Sequence, residues 1–241
     1  MAGTAVVAVR GIDAHADVPA LADGVRALLE DDRAVVLVSP GDVAGAAALA
    51  IGTTRAGRRA VPVLAHTLVD PADPAFAHLD GALDPAPLGF LEAEAIATLL
   101  GSGFPVVVTD HVPVVPSGST YQPVTAVLDE AAAAARLAGD LGAAVLVFVV
   151  GDDVVGLGER PAVGEIDMVE AESWLAEEPG FAPELRAALQ FLRASGQLAV
   201  VTTARDVVAA LDGSGGSGVL RIHRHLVRPR SEAPLLAAGW F

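Results

Sequence analysis

TAVLDEAAAAARLAGDLGAAVLVFVV, Thr125 to Val150, is an Ala/Leu segment of helical spacing followed by a short, wholly apolar, valine-rich run. A helix near 124–141 feeding a strand near 144–150 is one unit of a parallel sheet buried on both faces, since only such strands are apolar at every position. The same alternation runs along the chain. Strands are expected near 4–9, 34–38, 61–66, 105–109, 144–150, 198–203 and 218–222, and helices near 18–30, 43–51, 91–101, 124–141, 169–178, 182–195 and 205–212. Asp42, Ser102-Gly103 and Thr203 to Asp206 supply cap and turn chemistry at the junctions. The Pro- and Asp-rich stretch 70–87 reads as an irregular crossing, and Gly213 to Gly218 as a short flexible turn. The expected class is α/β, a three-layer αβα sandwich around a mostly parallel central sheet.

Composition narrows the function. The 241 residues are 53% hydrophobic, enough for one α/β domain or two closely packed lobes. Zero cysteines exclude disulfides, thiolate metal sites and a cysteine nucleophile, which fits a cytoplasmic protein. The longest apolar run, Leu141 to Val150, is about half the length of a spanning helix, and Thr4 to Val9 lacks a basic leader, so no membrane segment or signal peptide is expected. A net charge of −15 argues against nucleic acid and anionic membranes as partners. The charge is uneven: residues 221–241 hold four arginines against Glu232 and end in Leu235-Leu236-Ala237-Ala238-Gly239-Trp240-Phe241. A basic, apolar tail on an acidic body suits docking to another subunit or a second copy, or packing back onto its own body.

All 15 basic residues other than histidine are arginine; lysine and asparagine are both absent. Codon drift in a GC-rich genome accounts for such absences at surface positions. It does not harmlessly replace a lysine that touches a transferring phosphoryl group, because ammonium and guanidinium differ in shape and donors.

Several stretches, in order, resemble carbamate kinase, a member of the amino acid kinase superfamily. Thr67 to Phe76, TLVDPADPAF, is similar to that family's T-x-V-x-V-D-x-x-D-P-A-F segment. Pro85, Pro87 and Glu92 resemble its S-P-x-P-x-x-I-x-E helix entry, followed by the strand Pro105 to Val108 and by Pro113-Val114. Thr125 to Ala144 resembles its V-I-D-K-D segment and long helix, and Pro183 to Phe191 its P-K-V-E-A-A-x-x-F segment. The resemblance covers roughly residues 4–222. It implies a single amino acid kinase-like domain (1–222, N-lobe about 1–115 and C-lobe about 116–222) that forms a homodimer, with 223–241 as a tail.

The departures bear on chemistry. The family's opening G-G-N-A falls on Arg10-Gly11-Ile12-Asp13, and its H-G-N-G-P-Q-V-G loop falls near Val38 to Gly45. Side chains such as Ile12 and Pro40 obstruct a backbone cradle for phosphate. The four glycines before Ile-Pro-Val become Val108-Thr109-Asp110-His111, and the two phosphotransfer lysines become Glu130 and Glu184. A unit charge ~4 Å from a phosphate oxygen is worth roughly 4 kcal/mol at an effective dielectric near 20, so each reversal swings a contact by about twice that before relaxation. At ~1.4 kcal/mol per tenfold, ordinary ATP-to-carbamate transfer is not expected. The loop regions between Gly45 and Pro62 and between Phe76 and Pro85 are also compressed relative to the family.

What remains are candidate residues with two readings each. Asp110-His111, after a strand, fits a general acid/base or metal pair, or a polar strand-end turn. Asp153 resembles the family's T-D-V-D and could lie near Asp110, so that Asp110, Asp152 and Asp153 bind a hard cation; solvated loop carboxylates are the plain alternative. Arg10 binds a carboxylate or phosphate in place of lysine, or neutralises Asp13 or Asp42. Gly11, Gly41, Gly213, Gly216 and Ser217 are vestiges of nucleotide or phosphate loops, consistent with no cofactor or with weak ATP/ADP-Mg binding. His223 and His225, two apart in a strand-like tail, face one side and suit a metal, or are mobile tail histidines; no resident metal is expected. The reading that follows is a carbamate-kinase-like pseudoenzyme serving as a binding, scaffolding or regulatory subunit. Its alternatives are an enzyme with altered chemistry on a small carboxylate, carbamate or phosphorylated ligand using Arg10, Asp110, His111 and Asp153, and a metal or oxyanion binder.

Overall fold

A computed structural model describes residues 3–10, 12, 17–39, 41–52, 57–69, 82–83, 89–124, 127–151, 164–176, 182–212 and 219–224. In chain order the elements are β1 (Thr4–Arg10), α1 (Val18–Glu30), β2 (Ala34–Val38), α2 (Gly41–Ile51), β3 (Val61–Leu68), β4 (Ala82–Leu83), α3 (Ala93–Gly101), β5 (Val106–Ser117), β6 (Thr120–Pro123), β7 (Val127–Leu128), α4 (Glu130–Asp140), β8 (Val145–Val150), β9 (Glu165–Asp167), α5 (Met168–Leu175), α6 (Ala182–Ser195), β10 (Leu198–Thr202), α7 (Val207–Asp212) and β11 (Val219–His223). The main sheet runs β3-β5-β2-β1-β8-β10-β11-β9, with β6 paired to β5. Pairing is parallel from β3 to β10 and antiparallel at β10–β11 and β5–β6. Among the described residues no helix is long and apolar enough to cross a membrane.

Strand alternation divides the core into two layers. Val6, Val36, Leu146 and Phe148 face α3, α4, α5 and α6, whereas Val7, Leu37, Val147 and Val200 face α1, α2 and α7. Both layers are buried, so the central strands carry no polar face. Fully burying each Val, Leu or Phe is worth roughly 1.5–3 kcal/mol, and this is the force that assembles the sandwich. Alanine lets helices come close: Ala131 to Ala135 of α4 are all buried. Gly24 serves the same end on α1, where a Cβ would stand 3.0 Å from the Cβ of Val207 on α7.

The elements expected from sequence are present, with four corrections. The helix expected from residue 124 starts at Glu130: Val127-Leu128 form a short strand against Ala82-Leu83, and the Asp129 carboxylate caps α4 by accepting from Ala132 N at 3.0 Å. The pairing of 82–83 also places a strand inside the stretch read as an irregular crossing. The strand expected at 105–109 runs on to Ser117, because β3 and then β6 supply it with partners, so Asp110 and His111 lie within a strand rather than at its end. The proposed neighbouring of the Asp110 and Gly151 strand ends does not occur, since β2 and β1 separate β5 from β8.

Candidate functional site

The carboxyl ends of β1 and β2 stop short beside β5, and this difference in length makes a crevice. β2 pairs with β5 only as far as Val38 opposite Val108, after which Ser39 N donates to Val108 O at 3.1 Å. β5 continues. Its register with β3 slips between Val63 and Leu64, leaving Thr109 as the extra residue of a bulge. Asp110 and His111 thereby stand beyond the end of β2, at the position where open α/β sheets receive ligands. The N-termini of α4 and α6, two helices packed on each other, close the other side.

The result is a cavity of about 140 Å³. Its polar lining is Arg10, Ser39, Asp110, His111, Glu130 and Glu184; Ala8, Val9, Val38, Ala131 and Phe148 supply the apolar wall. Arg10 Nη1 donates to Glu184 Oε1 at 2.8 Å across 174 positions of sequence. The Arg10 side chain is 52% exposed, while the Glu184 side chain is 1% exposed. That hydrogen bond raises the Arg10 pKa above its ordinary value; partial burial opposes it, and the charges of Glu184, Glu130 and Asp129 add to it. Arg10 is a fixed cation held by a buried anion.

Three residues of the lining carry unpartnered polar atoms. Glu184 Oε2, Ser39 Oγ and both ring nitrogens of His111 are buried without a hydrogen-bond partner. The His111 ring lies edge-on to Phe90, with centroids 5.3 Å apart. Burial lowers the His111 pKa to about 4, against the opposing pull of Asp110, so the imidazole is neutral at pH 7. Leaving a buried polar group unsatisfied costs about 1–3 kcal/mol, which makes these atoms the natural contacts of an occupant.

Helix ends normally attract anions: backbone N–H groups and the macrodipole point positive at the N-terminus. Here Glu130 and Glu184 already occupy the first turns of α4 and α6. The side chains themselves supply the negative charge that a phosphate would bring.

Of the candidates named from sequence, the structure brings Arg10, Asp110 and His111 together. Asp152 and Asp153, Gly11, Gly213, Gly216, Ser217, His225 and the apolar tail lie outside the described residues. Gly41 opens α2. His223 sits on β11 with Nε2 3.6 Å from Glu165, beyond hydrogen-bond reach, and no group of three metal-ligating side chains occurs among the described residues. Sequence reasoning did not name Ser39 as a site residue, although it lies directly after a strand and within the Val38 to Gly45 stretch that resembles a phosphate loop. It also missed Glu184 as the partner of Arg10. No short-range spacing announces a pair so far apart.

No family model matches the chain. A carbamate kinase of Halobacterium salinarum is 34% identical over 146 residues, covering 56% of this chain and 48% of the relative. A carbamate kinase-like protein of Escherichia coli is 31% identical over 148 residues, covering 57% and 47%. The matched region thus spans about half the length of these curated relatives. Among solved structures, a carbamate kinase from Giardia lamblia bound to AMP-PNP superposes with a TM-score of 0.73 at 22% identity, covering 92% of this chain and 99% of that one. The chain is similar to carbamate kinases over about half its sequence, and its fold is the α/β fold of carbamate kinases and other amino acid kinases.

Proposed function

We propose that this chain is a carbamate-kinase-like pseudoenzyme that binds a small ligand and acts as a binding or regulatory subunit. The observation that carries this reading is the Arg10–Glu184 pair. Glu184 stands where the resemblance places a phosphotransfer lysine, and it holds the arginine that lies in a former phosphate loop. Among the described residues, a phosphoryl group entering here would meet three carboxylates, Asp110, Glu130 and Glu184, and a single guanidinium already engaged by one of them. Phosphoryl transfer depends on positioning and on neutralising charge spread over the equatorial oxygens. A lining of net negative charge opposes both.

The structural neighbour from Giardia lamblia binds AMP-PNP, so the test separates nucleotide binding from chemistry. The pure protein is titrated calorimetrically with ADP and ATP, each with magnesium, and assayed for phosphate exchange between ATP and carbamate in both directions. The expected result is no transfer and no nucleotide binding below millimolar concentration. Transfer that disappears in Arg10→Ala would overturn the reading.

A further inference from the structure

We infer that the cavity at the carboxyl ends of β1 and β2 binds a small primary ammonium ligand, its three N–H donors taken by Glu184 Oε2, Ser39 Oγ and an imidazole nitrogen of His111. This rests on the binding-protein reading above and names the ligand class for the same site. Three independent features support it. The first is charge. With His111 neutral, the described lining holds Asp110, Glu130 and Glu184 against Arg10, and Arg10 donates to Glu184 Oε1. An anion would add to an uncompensated negative field, whereas a cation relieves it.

The second feature is the set of unsatisfied atoms. Glu184 is 99% buried by its 1% exposure, and Ser39 is 5% exposed; both line the cavity, and each has a buried oxygen without a partner. An alkylammonium group offers three donors and no acceptor, which matches two such oxygens and one imidazole nitrogen. A bare metal ion is a poorer fit: the described residues contain no cluster of three ligands. The third feature is shape. About 140 Å³ is a few waters' worth of room, and Ala8, Val38, Ala131 and Phe148 give a short alkyl chain an apolar wall.

Propylammonium chloride is the probe, titrated by calorimetry and by thermal shift, with propionate, inorganic phosphate and tetramethylammonium as controls. Propylammonium binding, absent with the three controls and weakened about tenfold or more in Glu184→Gln and by at least about threefold in Ser39→Ala, is the expected result. Because Glu184→Gln disturbs a buried ion pair, the Ser39→Ala measurement stands by itself should that variant fail to fold. Equal effects of tetramethylammonium, which has no N–H, would overturn the inference, as would binding of propionate or phosphate in place of the amine, binding unchanged in Ser39→Ala, or no binding at all. Phosphotransfer activity together with amine binding would remove the pseudoenzyme reading and leave the ammonium site. Neither activity nor amine binding would remove the ammonium site alone.

Discussion

The first turns of α4 and α6 each carry a glutamate, at positions where the resemblance to carbamate kinases implies a lysine, and handle it differently. Glu130 is exposed at the rim of the cavity, within the field of Arg10. Glu184 is sealed inside and bonded to Arg10. A charge at the rim is screened by water and adjusts to its surroundings; a buried one must be matched by a specific partner or the fold loses stability. Glu184 is therefore part of the architecture as well as the site, whereas Glu130 acts mainly on what approaches.

The sharpest way to break this contrast is to introduce lysine at each position. Glu184→Lys places a second buried cation against Arg10 and should cost about 3–5 kcal/mol, the range for breaking a buried pair, read from the urea midpoint at constant m-value. Combining it with Arg10→Glu should recover much of the loss, because the pair is then reversed rather than broken. If both variants are as stable as the wild type, the buried pair has no structural role.

A related contrast of inside and outside recurs on β5, where Asp110 is exposed and His111 is half-buried with both ring nitrogens out of solvent. The folded state holds His111 near 4 against an ordinary 6.5, so the unfolded chain binds more protons between these values. Stability from this residue is complete above about pH 6.5, declines as pH falls toward 4, and amounts to at most about 3 kcal/mol. Subtracting the unfolding free energies of His111→Phe from those of the wild type across that window should leave this slope. A flat difference would place the ring in water.

Smaller effects follow. Arg10→Ala removes the partner of Glu184, but the Arg10 side chain is half-exposed, so water replaces part of the loss and a destabilisation of about 1–2 kcal/mol is expected. Glu130→Lys should change stability by no more than about 0.5 kcal/mol. Its effect is on ligands: by turning one rim anion into a cation, it should weaken propylammonium binding and strengthen phosphate binding at low salt, an effect that fades as salt is added. A stability loss comparable to that of Glu184→Lys would erase the distinction between the two helices.

Much of the scaffold was legible because it rests on local rules. The apolar runs 34–38 and 145–150 can only be strands buried on both faces, and the helical spacing of 18–30 and 182–195 marks those helices to the residue. The short strand Val127-Leu128 was absorbed into the helix after it because two apolar residues carry no period of their own; their pairing with Ala82-Leu83 is a long-range event. The overrun of β5 beyond β2 was hidden for the same reason, since a strand's end depends on where its neighbours stop.

By itself the sequence determined the α/β class, the alternation that builds two core layers, the likeness to carbamate kinases and the charge at each position. It also singled out Arg10, Asp110 and His111, although it put the last two at a strand end that the structure extends to Ser117. The tertiary structure alone decided that Arg10 is held by Glu184, that Ser39 and His111 line one cavity with them, and that Glu130 stays at the rim. The physical reason is that composition and periodicity act over a few residues. Burial and ion pairing are set by distance in space, and residues 174 positions apart meet only once the sheet has formed.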